Sequence, residues 1–252
     1  MTSMAPRANP LIARLVAGEV VVGVWTGAWT APRVTRVIAT SGVDFIVADV
    51  EHDLYDFNAM QRFLLQVNDF ATRYGGVEPP AVLVKLAHRA GWDPRYEIAE
   101  TLKIGPAMGI WVPYVESAAD LARAISAVRG CEGFAHAGLN IPAAKRDVWP
   151  LNPQGEYFVV AMIESEEGAS HAEEIVATPG LGAVEVIHLS AETEARVLGL
   201  CKKHGVLGAV TACPDEVQTR IAQGYKLISI GWDFALLAAR LEERLRSVRG
   251  DT

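Results

Sequence analysis

Eight short apolar runs, separated by longer segments of helical period, constrain this chain more than any other feature of its sequence. They occupy residues 20–25, 44–49, 81–85, 109–113, 157–163, 183–187, 206–210 and 226–230. Each is nearly continuous in β-branched and other apolar residues, the pattern of strands buried on both faces of a parallel sheet. The intervening segments repeat on a helical period. Residues 32–40 begin with Pro32 at a first-turn position, and 56–74 place Phe57, Met60, Phe63, Leu64 and Val67 on one face. Residues 117–128 open with Ser117 and Asp120 in near capping-box spacing, and 234–248 are rich in Ala, Leu, Arg and Glu. Strand and helix in alternation predict βαβ units joined by right-handed crossovers. A closed (β/α)8 TIM barrel and an open doubly wound sheet both satisfy that rule, and eight repeats favour the barrel. One stretch, 130–155, is rich in Gly, Pro and Asn and has no period, so it reads as a long loop before the fifth strand.

The 252 residues match one barrel domain, taken here as 1–252. Half of them are apolar, enough for a large core. A net charge of −7 argues against nucleic-acid binding, which needs clustered Lys and Arg. Cys131, Cys201 and Cys213 are odd in number and lack metal-type spacing, which predicts free thiols and a reducing, cytoplasmic setting. No signal peptide and no run of 18 apolar residues is visible, so no membrane role is expected.

In a barrel, the chemistry collects where strands end at their C-terminal rim. The second run ends Asp49-Val50-Glu51-His52-Asp53, the densest ionisable cluster in the chain. If the strand continues, alternation puts Asp49, Glu51 and Asp53 on one side. His52 is then a base held by neighbouring carboxylates, against the alternative of a solvated turn. Lys85 ends the third run, followed by His88 and Arg89; as a cation it suits a carboxylate or phosphate, or else it is a surface lysine. Glu164 ends the fifth run and suits a hard divalent cation. Glu166 and Glu167 read as the first turn of the next helix. His188 ends the sixth run, either as a second metal ligand or as a structural histidine, and Glu192 opens the helix after it. Trp25, Thr26 and Gly27 after the first run, and Gly231, Trp232 and Asp233 after the last, wall a pocket or plug the core. There is no phosphate-loop, dinucleotide, zinc-protease or nucleophile-elbow motif.

These segments resemble the HpcH/HpaI aldolase/citrate lyase family of metal-dependent pyruvate aldolases, from about Val22 to Arg240. The likeness rests on Gly23-Val24-Trp25-Thr26-Gly27, on Gly42 to His52, on Val112-Pro113, on Ile163-Glu164 and on Gly231 to Ala238. It implies a barrel of the phosphoenolpyruvate/pyruvate type whose last helix is swapped between neighbours in a homo-oligomer, a trimer or hexamer. It also implies a divalent metal (Mg2+, Mn2+ or Co2+) and a lyase acting on a small 2-oxo acid and an aldehyde. Carried over by position, Glu164 is the first metal ligand, His52 the catalytic histidine, Asp49 the orienting carboxylate and Trp25 the aromatic at the pocket edge. Gly27, Lys85 and Ser190 join the expected substrate-binding set, and Lys85 also the catalytic one. Two positions depart. The family's second metal ligand, an Asp, is absent from Val186 to Glu192, leaving His188 or Glu192 as replacements. Lys85 stands where the family has an arginine, losing the two-pronged grip on a carboxylate. The expected reaction is cleavage or formation of a 4-hydroxy-2-oxo acid through a metal-stabilised pyruvate enolate. The alternatives are condensation on an oxaloacetate-like acid, or a descendant that binds a small molecule without turnover.

Overall fold

A computed structural model describes residues 7–27, 31–52, 56–87, 92–103, 107–129, 131 and 141–250. Asp53, His88 and Arg89 lie outside these residues, as does the 132–140 part of the aperiodic stretch.

The barrel strands are β1 (Val21–Thr26), β2 (Phe45–Asp49), β3 (Ala81–Lys85) and β4 (Ala107–Val112). After a two-residue β5 (Val148–Trp149) come β6 (Tyr157–Ile163), β7 (Ala183–Val186), β8 (Leu207–Thr211) and β9 (Leu227–Trp232). Every pairing is parallel. The order runs β4-β3-β2-β1-β9-β8-β7-β6, and a β4–β6 pairing shuts the ring, with β5 appended outside it on β6. The closed barrel, not the open sheet, is therefore the fold. All eight apolar runs become its strands, with ends shifted by a residue or two.

Two layers of apolar contact hold it. Val21, Trp25, Phe45, Val47, Leu83, Trp111, Phe158, Val160 and Met162 point into the barrel. Ile46, Val82, Val84, Ile110, Val159 and Val184 point outward and pack under the helices with Phe63, Leu64, Ile98 and Leu121. Burial on both faces is the reason these strands lack polar alternation. Gly109 belongs to this packing, because a Cβ there would collide with the Phe158 carbonyl oxygen.

The expected helices form as α2 (Pro32–Ala39), α3 (Phe57–Phe70), α5 (Ala118–Arg129) and α10 (Asp233–Arg249). The Ser117 hydroxyl accepts from the Asp120 N–H at 3.2 Å and so caps α5. Helices without a clear sequence period also form: α1 (Pro10–Val16), α4 (Arg95–Lys103), α6 (Glu166–Ser170), α7 (Ala172–Val176), α8 (Ala191–His204) and α9 (Val217–Gln223). Apart from α8, which spans 14 residues, these helices show fewer than three turns of pattern, too few to stand out.

The N-terminal end of the barrel is stoppered. Leu11, Ile12 and Leu15 of α1 join the interior cluster. Asn9 fixes them there. Its Oδ1 accepts from the Leu11 and Ile12 N–H groups at 3.0 and 3.4 Å, while its Nδ2 donates to the Met108 and Glu156 carbonyls at 3.2 and 3.0 Å. The buried Glu156 carboxylate accepts the Asn9 backbone N–H at 3.0 Å. Residues 141–155 are thus partly structural: β5 and its flanks cover this end.

Candidate active site at the C-terminal rim

At the opposite rim the inward positions turn polar. Asp49, Lys85, Glu185 and Ser229 are buried polar residues at or near the ends of apolar strands, and Thr211 at the end of β8 is half-buried. Above them opens a cavity of about 370 Å³ walled by Trp25, His52, Lys85, Tyr114, Glu164, Glu185, His188, Arg220 and Trp232, among others.

β2 ends at Asp49, and the chain then bends back. The Asp49 carboxylate accepts the His52 backbone N–H through Oδ1 and holds the ring Nδ1 through Oδ2, both at 2.9 Å. The strand does not continue past Asp49, so the alternation that would set Asp49 and Glu51 on one strand face does not arise, and Asp53 lies outside the described residues. Instead, Glu51 and His52 converge on the same spot. A carboxylate on Nδ1 fixes the tautomer with Nδ1–H and leaves Nε2 as the basic nitrogen. The His52 side chain is 63% exposed while Asp49 is fully buried, so the acid is anchored and the imidazole projects into the mouth.

Lys85 pairs with Asp49 in the β2–β3 register. Its Nζ lies 2.6 Å from Glu51 Oε2 and 3.9 Å from Asp49 Oδ2, and 5.7 Å over the Trp25 ring. A buried ammonium needs such partners, since desolvating an unpaired charge is costly. Lys85 therefore belongs first to this carboxylate cluster.

Glu164 follows β6 and accepts the Tyr114 N–H at 3.1 Å. Burial raises its pKa above the usual carboxylate range, with Lys85 opposing. Glu185, within β7, accepts the Thr211 hydroxyl at 3.0 Å. Burial pushes its pKa up to about 7, against the Thr211 hydrogen bond and the Lys85 charge. The Thr211 oxygen in turn accepts Trp25 Nε1–H at 3.1 Å. Trp25 stacks on Trp232, with centroids 5.2 Å apart.

Tyr114 and His188 both have φ in the left-handed region, at 48° and 60°. Among the described residues they are the only non-glycine positions with positive φ, and both line the cavity. Backbone strain of this kind gathers at functional sites. On the far wall Arg220 reaches Glu194 Oε1 at 2.9 Å, and Tyr225 donates to the same oxygen at 2.7 Å.

The structure thus brings together Asp49, His52, Lys85, Glu164, His188 and Trp25. Ser190 and Gly27 do not line the cavity. The Ser190 hydroxyl accepts the Thr193 N–H at 3.1 Å and caps α8. Gly27 donates weakly to Asp233 Oδ1 at 3.4 Å, and Asp233 also takes the Thr26 hydroxyl at 2.7 Å, tying β1 to α10. Glu166, Glu167 and Glu192 sit in the first turns of α6 and α8, as expected. Glu185, Thr211, Tyr114 and Arg220 escaped the sequence reading. Glu185 had a signal: Ala183, Glu185 and Ile187 alternate along one strand face, and a lone charge there must face the interior.

The HpcH/HpaI aldolase/citrate lyase family model matches residues 22–193. A hydroxypyruvate/pyruvate aldolase of Chromohalobacter salexigens is 27% identical over 264 residues, covering 96% of this chain and 98% of that one. An HpcH/HpaI aldolase/citrate lyase family protein from Burkholderia cenocepacia superposes with a TM-score of 0.76 at 22% identity, covering 96% and 100% of the two chains. A citrate lyase beta subunit from M. tuberculosis, solved with oxaloacetate and magnesium, has a TM-score of 0.54 at 14% identity, covering 85% and 92%.

Proposed function

Because the chain belongs to the HpcH/HpaI aldolase/citrate lyase family and is a lyase of the aldolase type, we propose that it cleaves and forms a 4-hydroxy-2-oxo acid using a divalent metal. The 2-oxo product is of the pyruvate or hydroxypyruvate class, and the other product is an aldehyde. One observation carries this reading: the Asp49–His52 pair and Glu164 share one cavity at the same rim.

The donor set fits a hard cation. Three carboxylates (Asp49, Glu51 and Glu164) crowd a region with one buried ammonium, Lys85. Among these residues no three of His, Cys, Asp or Glu form a ready cage. The ion would therefore be held by Glu164 with His188, its remaining positions left to substrate and water, as is usual for Mg2+. A histidine ligand biases the choice toward Mn2+ or Co2+. When bound, the ion supplies Lewis acidity at the keto oxygen and offsets the charge of the enolate.

The chain's own groups do the rest. His52 Nε2 takes the proton of the 4-hydroxyl as the C3–C4 bond breaks, and Asp49 stabilises the imidazolium that results. Lys85 keeps Glu51 and Asp49 compatible with each other and presents positive charge toward the substrate carboxylate. The Trp25–Trp232 stack covers one wall with apolar surface and limits water beside the enolate.

The test is direct. Purified protein with Mg2+, Mn2+ or Co2+ is incubated with pyruvate or hydroxypyruvate and short aldehydes, and products are read by NMR. We expect aldol product that vanishes with excess chelator and returns with metal. No product under any metal, together with no metal-dependent oxalate binding, overturns the proposal.

The last helix supports self-association. Phe234, Leu237, Leu241, Leu245 and Val248 form an exposed apolar stripe along α10. A second copy of the chain is the occupant we assign to it. Sedimentation should show an oligomer that the pair Leu237→Glu and Leu241→Glu converts to monomer; a monomeric native protein refutes this. The three free thiols suit a reducing compartment such as the cytoplasm, and among the described residues no helix is long and apolar enough to cross a membrane.

A further inference from the structure

We propose that Glu185 is a second proton-transfer group of the site, serving C3 of the 2-oxo acid while His52 serves the 4-hydroxyl; this deepens the aldolase reading and rests on it. β7, which carries Glu185, and β2, which leads to His52, are four strands apart in either direction around the eight-stranded ring. The two groups therefore address a substrate from opposite walls of one cavity.

Glu185 is built for more than packing. It sits in a strand otherwise apolar, where a side chain such as Leu would satisfy the core without the desolvation cost of a carboxyl. It is 1% exposed and lines the cavity floor. Its Oε1 is fixed by the Thr211 hydroxyl, which is itself oriented by accepting Trp25 Nε1–H. That relay consumes one oxygen. Oε2 has no hydrogen-bond partner among the described residues. A buried oxygen left over from a fully organised relay is a group waiting for a ligand atom. The charged groups acting on it are Lys85 at the end of β3 and Glu164 just after β6; His52, His188, Glu194 and Arg220 also line the cavity, while Trp25 on β1, Met162 on β6 and Thr211 on β8 are uncharged. With its pKa near 7, the carboxyl populates both protonation states at neutral pH, as an acid–base group requires.

In cleavage the balance is as follows. The 4-hydroxyl proton passes to His52, the C3–C4 electron pair moves onto C3 to form the enolate, and C4–O becomes the aldehyde carbonyl. The enolate carbon then takes the proton from Glu185, giving the 2-oxo acid and leaving Glu185 ionised. Solvent returns one proton from His52 to Glu185. Synthesis reverses each transfer, with ionised Glu185 removing the C3 proton.

The experiment follows exchange of the pyruvate methyl protons for solvent deuterium by NMR in the metal-loaded enzyme. In the native protein, exchange should rise with pH through one inflection, because Glu185 must be ionised to take the C3 proton. Glu185→Gln should slow exchange at least about 100-fold and abolish the inflection, with metal-dependent oxalate binding unchanged by calorimetry. In His52→Asn the loss of cleavage should exceed the loss of exchange. Thr211→Val provides an independent variant: removing a hydrogen bond that favours the carboxylate should move the inflection to higher pH. Exchange at the native rate in Glu185→Gln, or an inflection unmoved in both variants, overturns the assignment. A native protein that neither cleaves nor exchanges while binding no metal sinks the aldolase reading itself.

Discussion

Glu164→Gln is expected to lose aldol turnover almost completely while the protein folds as before. The amide keeps the size of the carboxylate and an oxygen that can still accept the Tyr114 N–H, so the loop after β4 stays anchored. What disappears is one negative charge in a buried setting, and with it the main anionic ligand for a divalent ion. An ion's stabilisation of the enolate is worth several kcal/mol, and each 1.4 kcal/mol is tenfold in rate, so kcat/KM should fall by about 10³ or more. Calorimetry with Mn2+ should show lost or much weakened binding, and the melting temperature should stay level or rise, because a desolvated charge has gone. Native metal affinity and turnover in this variant would exclude Glu164 as a ligand.

His52→Asn is expected to cut kcat by about 10²–10⁴, the usual contribution of a positioned general base. Because His52 is largely exposed, the change costs little stability, and oxalate binding with metal should persist. Asp49→Asn acts on the same step by another route. An amide can turn its NH2 toward Nδ1, which selects the opposite tautomer and puts the proton on Nε2, the nitrogen that must be basic. Its kcat should fall with little change in KM. Asp49 also faces Lys85, so this variant carries a structural effect that a melting curve will register separately. If His52→Asn cleaves at the native rate, another group holds the hydroxyl proton.

The barrel was legible because parallel strands buried on both faces leave a coarse mark: β-branched runs survive without any polar alternation. α1 and α4 were not legible, because nine residues or fewer carry too little period. The rim was half legible. Asp49, His52 and Glu164 stand where apolar runs stop, and such ends are visible in the sequence. Glu185 stands inside a run, and only the alternation of Ala183, Glu185 and Ile187 reveals that it faces inward. Tyr114 and Arg220 enter from loop and helix, positions fixed by tertiary contact alone. Ser190 shows that a hydroxyl after a strand can be engaged by the next helix, a contact the sequence reading did not anticipate.

Strand side chains fill the barrel and α1 closes its far end, so the site is a cup cut into one rim and not a tube. Molecules that reach the cavity come and go through that rim. Two products sharing a single exit leave one after the other, and the piece lying deeper waits for the piece nearer the lip. A compact dicarboxylate lodged at the cavity floor would therefore obstruct an aldehyde's chemistry without ever touching the aldehyde's own place.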